Sequence, residues 1–65
     1  MNLALKVALT KHRKRDYQIA ILAGMSQSTL SKIVNGVVQP SKDQKRSIAE
    51  VLRVSIRSIF PPEVG

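Results

Sequence analysis

Cysteine is missing from this 65-residue chain. No disulfide can therefore join its segments, and no thiolate can bind a metal ion. The single histidine, His12, cannot form a metal site alone. The acidic residues lie far apart, without the paired spacing that acid–base catalysis needs: Asp16, Asp43, Glu50 and Glu63. We expect no metal, no cofactor and no enzymatic activity.

Aromatic residues and long apolar runs are also scarce. Tyr17 and Phe60 are the only aromatic residues, whereas proteins that bind RNA or single strands stack bases on aromatic side chains. No apolar run approaches the roughly 20 residues of a membrane span. At the N-terminus the apolar residues precede the basic ones, which is opposite to a secretory signal. Together with the lack of cysteine, this predicts a cytoplasmic location without a membrane anchor.

Acidic residues are outnumbered by basic ones, eleven Lys and Arg against four Asp and Glu, which gives a net charge of +7. Such a balance favours an anionic partner, either nucleic acid or an anionic membrane surface. Five basic residues follow one another from Lys11 to Arg15. They either contact nucleic acid or form the solvated end of a helix, whose dipole basic residues complement.

Apolar residues recur at helical spacing along almost the whole chain, and no segment alternates as a strand does. The pattern predicts one all-α domain over residues 1–65, a compact bundle of about five short helices. The five apolar stripes are Ala4, Leu5, Ala8 and Leu9; Ile19, Leu22 and Ala23; Leu30, Ile33 and Val34; Ile48, Val51 and Leu52; and Ile56, Ile59 and Phe60.

Residues typical of helix ends lie between these stripes. Gly24 and Gly36 follow the second and third stripes, where helices commonly end in a left-handed residue. A serine precedes each of the last three stripes and can cap the helix that follows. The expected N-caps and stops are Ser26, Ser41 with Gln44 in a capping box, Ser55, and the pair Pro61 and Pro62.

The segment from Ala20 to Ile33 predicts two helices joined by a very short turn. Ala20 is small enough for two helices to touch there, and Gly24 tolerates the positive φ of the turn. Met25, Leu30 and Ile33 would anchor the second helix, which we expect from about Ser26 to Asn35. Its other face carries polar side chains that can hydrogen-bond to base edges: Gln27, Ser28, Ser31 and Lys32.

From about Leu5 to Phe60 the chain resembles the phage repressor and Cro proteins, the XRE family of helix-turn-helix proteins with the lambda repressor-like fold. The best segment runs from Ala20 to Gly36. The resemblance implies that the recognition helix lies in the major groove of double-stranded DNA. The residues it implicates in reading bases are Gln27, Ser28 and Lys32. Those it implicates in phosphate contact are Asn35, Gln39 and Lys42. The family also contacts phosphate at the start of the second helix, and because Asp16 stands there we assign that contact to Tyr17 or Arg15.

The chain departs from the family pattern at several positions. Asp16 stands where Gln is usual at the start of the second helix, and its charge would repel phosphate. Lys14 replaces a buried apolar residue, so we expect Tyr17 to fill that space. Val34 replaces a Glu that often pairs with an Arg of the first helix. Arg53 stands where Gly is common, in a left-handed cap.

The resemblance implies a transcriptional regulator, of the repressing kind, that binds a palindromic operator as a weak homodimer. The hydrophobic tail of Ile59, Phe60 and Val64 would make the self-contact, although Ile59 and Phe60 could equally close the monomer core. Three alternatives stay open at this point. They are an antitoxin that binds its own promoter, a protein-interaction module without DNA binding, and a membrane-surface binder.

Overall fold

The computed structural model describes residues 1–61. They form the predicted all-α bundle, with a Cα radius of gyration of 10.6 Å. No strand occurs within the described range. The helices are α1 (Leu3–Lys11), α2 (Asp16–Leu22), α3 (Gln27–Val34), α4 (Lys42–Leu52) and α5 (Ile56–Ile59).

Side-chain caps fix where the helices begin, and two of the three predicted serine caps are confirmed. Ser26 accepts from the Thr29 N–H, and Ser41 forms the predicted capping box with Gln44. Ser55 stands at the N-cap of α5, but its side chain makes no capping hydrogen bond. That helix is a single turn of four residues, in which the Ser58 hydroxyl donates to the Ser55 carbonyl oxygen instead.

Three helices end in the same way. Each is followed by a left-handed residue, and the N–H groups of that residue and of the next one donate to carbonyl oxygens of the last helical turn. After α2, Gly24 N–H donates to Ile21 O and Met25 N–H to Ala20 O. This is the Schellman arrangement, which satisfies carbonyl groups at a helix end. Gly24 has a φ of +78°, as predicted.

In the Schellman arrangement at the end of α4, the left-handed residue is an arginine. Arg53 has φ 58° and ψ 43°. Its N–H donates to Glu50 O, while Val54 N–H donates to Ala49 O. A residue with a Cβ is strained in this region by about 1–2 kcal/mol. The expected left-handed Arg53 is therefore present, and the hydrogen bonds of the motif hold it there.

Every helix contributes to one apolar core. The buried residues are Leu5, Leu9, Ile19, Ala20, Ala23, Leu30, Ile33, Ile48, Ala49, Leu52 and Ile59. Val34, Met25, Val51, Ala8 and Phe60 are partly buried against them. Val34, where the resemblance implies a Glu of an ion pair, thus makes apolar contact with the core.

Some predicted core positions are wrong. Leu22 is 58% exposed, because the buried arc of α2 is centred between Ile19 and Ala20, and Leu22 lies roughly 110° from that centre. Tyr17 is 46% exposed, on the side of α2 away from the core, so it does not fill the space expected beside Lys14. Ala4 and Ile56 are also exposed, at the outer edges of their stripes.

The tail residues close the monomer. Ile59 is 1% exposed, so of the two roles that the sequence left open for it, the structure favours closure of the monomer core over self-contact. Phe60 is half-buried, and the Lys45 ammonium lies 5.8 Å from its ring centroid, within cation–π range. Pro62 of the predicted stop and Val64 of the expected self-contact lie outside the described residues.

Over the described part of the chain, no helix has both the length and the apolar character needed to cross a bilayer.

Candidate nucleic-acid interface

The junction of α2 and α3 has the form of a helix-turn-helix. Residues 23–26 connect the two helices, and the turn closes through the Met25 N–H donating to Ala20 O at 2.9 Å. Ala20 is fully buried where the helices meet. Nothing lies within 4 Å of a Cβ placed on Gly24. Backbone conformation alone, rather than space, therefore explains the glycine at that turn.

Helix α3 is held from one side only. Leu30 and Ile33 are buried and Met25 packs against the same core, as predicted. The helix runs Gln27–Val34, between the N-cap Ser26 and the C-cap Asn35. These bounds are those expected for the recognition helix.

The opposite side of α3 is polar and exposed. We call it the polar face of α3, and it consists of Gln27, Ser28, Ser31, Lys32 and Asn35, all of them exposed. At 3.6 residues per turn these side chains span an arc of roughly 140°, directly opposite Leu30 and Ile33. The three residues predicted to read bases, Gln27, Ser28 and Lys32, therefore lie on one continuous surface.

Two residues of the polar face, Ser31 and Asn35, are hydrogen-bonded to each other. The Asn35 side-chain amide donates to the Ser31 hydroxyl at 3.4 Å. Ser31 was predicted to lie on the polar side among residues able to hydrogen-bond to base edges, and it lies there. Its position four residues after Gln27 was the signal, because residues i and i+4 of a helix lie one above the other.

A groove runs along the polar face and separates it from α1. Its volume is about 250 Å³, and it brings together residues of α1, α2 and α3. The polar and charged residues that line it are Lys6, Thr10, Asp16, Gln27, Ser31 and Asn35. Asp16 and Gln27, the first residues of α2 and α3, thus line a common space, although eleven positions separate them.

The predicted phosphate-contacting residues lie on different elements of the fold. Arg15 and Tyr17 lie exposed at the start of α2, where the Arg15 N–H donates to the Gln18 side chain at 3.0 Å. Lys42 is the exposed first residue of α4. Gln39 is exposed but lines a different cavity, of about 550 Å³, together with Met1 and Phe60.

The basic run from Lys11 to Arg15 forms the turn between α1 and α2. Lys11 ends α1, and His12 is its C-cap. The His12 ring nitrogen Nδ1 accepts from the Lys14 N–H at 3.2 Å. Arg13, Lys14 and Arg15 are exposed and lead directly to the first residue of α2. The run therefore places exposed basic side chains in the loop directly before the helix-turn-helix.

Within residues 1–61 no group of three or more His, Asp and Glu side chains could hold a metal ion.

The geometry is that of a helix-turn-helix DNA-binding domain. A family model described as helix-turn-helix matches residues 6–59. The chain therefore belongs to the XRE family of Cro/C1-type helix-turn-helix proteins, whose members are DNA-binding proteins of the transcription-regulator type. No curated protein matches the chain, and no solved structure does.

Proposed function

We propose that this protein binds a specific site in double-stranded DNA with α3 in the major groove and represses transcription there. One observation carries the proposal: the polar face of α3 is continuous and exposed, on a helix whose other side is anchored in the core. The major groove admits an α-helix, and its base edges present donors and acceptors that such side chains can pair with.

Gln27, Ser28 and Lys32 are the proposed base-reading residues. The Gln27 amide can donate and accept at once, which suits adenine, and the Lys32 ammonium suits the acceptors of guanine. Both side chains are exposed on the polar face. Ser28 lies between them around the helix and can pair with either kind of base group.

Phosphate contacts would hold the helix in register. Arg15 and Tyr17 flank α3 on one side in the chain, and Lys42 on the other, each exposed. Asn35 would contribute from the end of the polar face, and Gln39 from the loop that follows. Such contacts fix orientation and carry no sequence information of their own. The net charge of +7 supplies the general attraction to the duplex.

The operator is proposed to be an inverted repeat bound by two copies that associate weakly. A helix-turn-helix pair reads half-sites about one helical turn, ~34 Å, apart. Bound at a promoter, the two copies would block access of the polymerase. Because Ile59 lies in the core, the self-contact has to use other side chains.

Selection of bound sites from random duplex DNA tests the proposal. We expect one enriched site with two inverted half-sites about 10 base pairs apart. The matched control is a variant with Gln27, Ser28 and Lys32 all replaced by alanine. It keeps the core intact and should lose enrichment while retaining weak, salt-sensitive binding to any duplex. If the wild type enriches no sequence over the starting pool, specific DNA binding is refuted.

A further inference from the structure

Asp16 is an acidic side chain placed at the edge of a surface that is otherwise basic or neutral. It is the exposed first residue of α2 and lines the same groove as Gln27, Ser31 and Asn35 of the polar face. The protein carries a net charge of +7, and phosphate oxygens repel a carboxylate. A carboxylate at this place therefore needs a physical explanation.

Interaction with the helix dipole favours an acid in the first turn of α2 but does not require that acid to line the groove along α3. An acid in the first turn stabilises a helix by about 0.3–1 kcal/mol wherever that helix points. Asp43 occupies the first turn of α4 in the same way and is equally exposed. Asp16 differs from Asp43 in lining the groove along α3, which Gln27 also lines.

The chemistry of the major groove limits what Asp16 can contact. An ionised carboxylate only accepts hydrogen bonds, and the groove offers donors only on the exocyclic amino groups of cytosine and adenine. Adenine places the acceptor N7 next to its amino group, where it would face the second carboxylate oxygen. The N4 amino group of cytosine has an acceptor on one side only, the O6 of its paired guanine, and the C5–H group on the other side leaves room for the second carboxylate oxygen.

We propose that Asp16 is a further base-reading residue, which accepts a hydrogen bond from the N4 amino group of a cytosine next to the base pair contacted by Gln27. This inference rests on the proposed function. Asp16 discriminates chiefly by weakening binding to sites that lack this cytosine. Opposite any other base the carboxylate loses water without gaining a hydrogen-bond donor. The same charge is repelled by the phosphates of any duplex, and only at the specific site does the hydrogen bond from cytosine offset that repulsion.

The test compares sites selected by the wild type, Asp16→Asn and the matched control Asp43→Asn. Both variants remove one negative charge from an exposed first turn. The wild type should enrich cytosine at a position adjacent to the one whose preference disappears in Gln27→Ala. Asp16→Asn should lose about tenfold of the discrimination for that cytosine and bind scrambled duplex more tightly. Asp43→Asn should keep the wild-type base preferences.

The outcomes separate this inference from the function it rests on. A wild type that selects no site refutes specific DNA binding itself. A wild type that selects a site whose cytosine preference is unchanged in Asp16→Asn overturns only the role of Asp16. A merely structural role would lower the melting temperature of Asp16→Asn and weaken all duplexes equally, with the base preferences preserved, and that result also overturns the inference.

Discussion

The side-chain amide of Asn2 donates a hydrogen bond of 2.6 Å to the backbone oxygen of Ile59, which lies 57 positions along the chain. The Oδ1 atom of the same side chain accepts from the Leu5 N–H at 3.0 Å and caps α1. The Asn2 backbone N–H donates to Val34 O at 2.8 Å. One residue thus joins the start of α1 to the ends of α3 and α5.

Replacing Asn2 should therefore destabilise the domain through two separable contributions. Asn2→Asp keeps an acceptor that caps helices about as well as asparagine but loses the donor to Ile59. We expect it to lower the free energy of unfolding by about 1 kcal/mol. Asn2→Ala loses both contacts and should cost about 2 kcal/mol. Urea unfolding followed by circular dichroism measures both, and equal stability of Asn2→Asp and wild type would contradict the first value.

Substitutions at two left-handed residues should change the free energy of unfolding in opposite directions. Arg53→Gly relieves the strain at φ 58° and should raise the free energy of unfolding by about 1 kcal/mol. Gly24→Ala creates that strain at φ +78° without any steric clash and should lower it by about 1–2 kcal/mol. A change of 1 kcal/mol moves the melting temperature by roughly 4–8 °C in a domain of this size. Calorimetry showing both variants shifted in one direction would disagree with this account.

The burial of Ile59 predicts a stability defect rather than an association defect. Ile59→Ala removes a buried side chain and should cost about 2–5 kcal/mol, enough to unfold much of a small domain. Ile56→Ala, in the same helix but 39% exposed, is the matched control and should cost much less. Thermal unfolding at two protein concentrations distinguishes a role of Ile59 in the monomer core from a role in self-association. A defect in Ile59→Ala that disappears at high concentration would favour the interface role instead.

The charge predicts a steep dependence of DNA affinity on salt. For each phosphate that the protein neutralises, the logarithm of the binding constant should fall by roughly 0.9 per tenfold rise in salt. Contacts by Arg15, Lys42 and their neighbours should give a slope of several such units. Fluorescence anisotropy across a salt series measures it, and a nearly flat slope would refute binding through phosphates.

Base reading and phosphate contact should separate by mutation. Gln27→Ala should weaken the selected site by about 1–3 kcal/mol and scrambled DNA hardly at all. Lys42→Ala should weaken both DNAs alike and reduce the salt slope by about one contact. Lys32 can reach either guanine or the backbone, so Lys32→Ala assigns its role by the same two measurements. Equal weakening of both DNAs by Gln27→Ala would place the reading surface elsewhere.

The sequence predicted the features that depend on neighbouring residues. The glycine turn at Gly24, the cap at Ser26 and the anchoring of α3 by Leu30 and Ile33 all follow from local spacing, and the structure confirms them. The exposure of Leu22 was missed because hydrophobicity alone does not give the centre of a buried arc when small alanines form it.

Contacts between distant segments could not be predicted. The hydrogen bond of Asn2 to Ile59 depends on how α1 packs against α5, which no local pattern contains. The shared groove of Asp16 and Gln27 likewise depends on the crossing of α2 and α3. The sequence showed Asp16 only as a departure from the family, and its place in that groove became visible in the fold.

The residues of α3 that anchor it are different from those that it exposes. Leu30 and Ile33 pack in the core, while the five side chains of the polar face are exposed. Mutations at those outward positions leave the packing untouched, so selection can act on them without first restoring a damaged fold. Under the proposed function, a lineage descended from this protein could acquire a new operator through a handful of substitutions. Duplicated genes could then diverge in the promoters they control while their products share an unchanged scaffold.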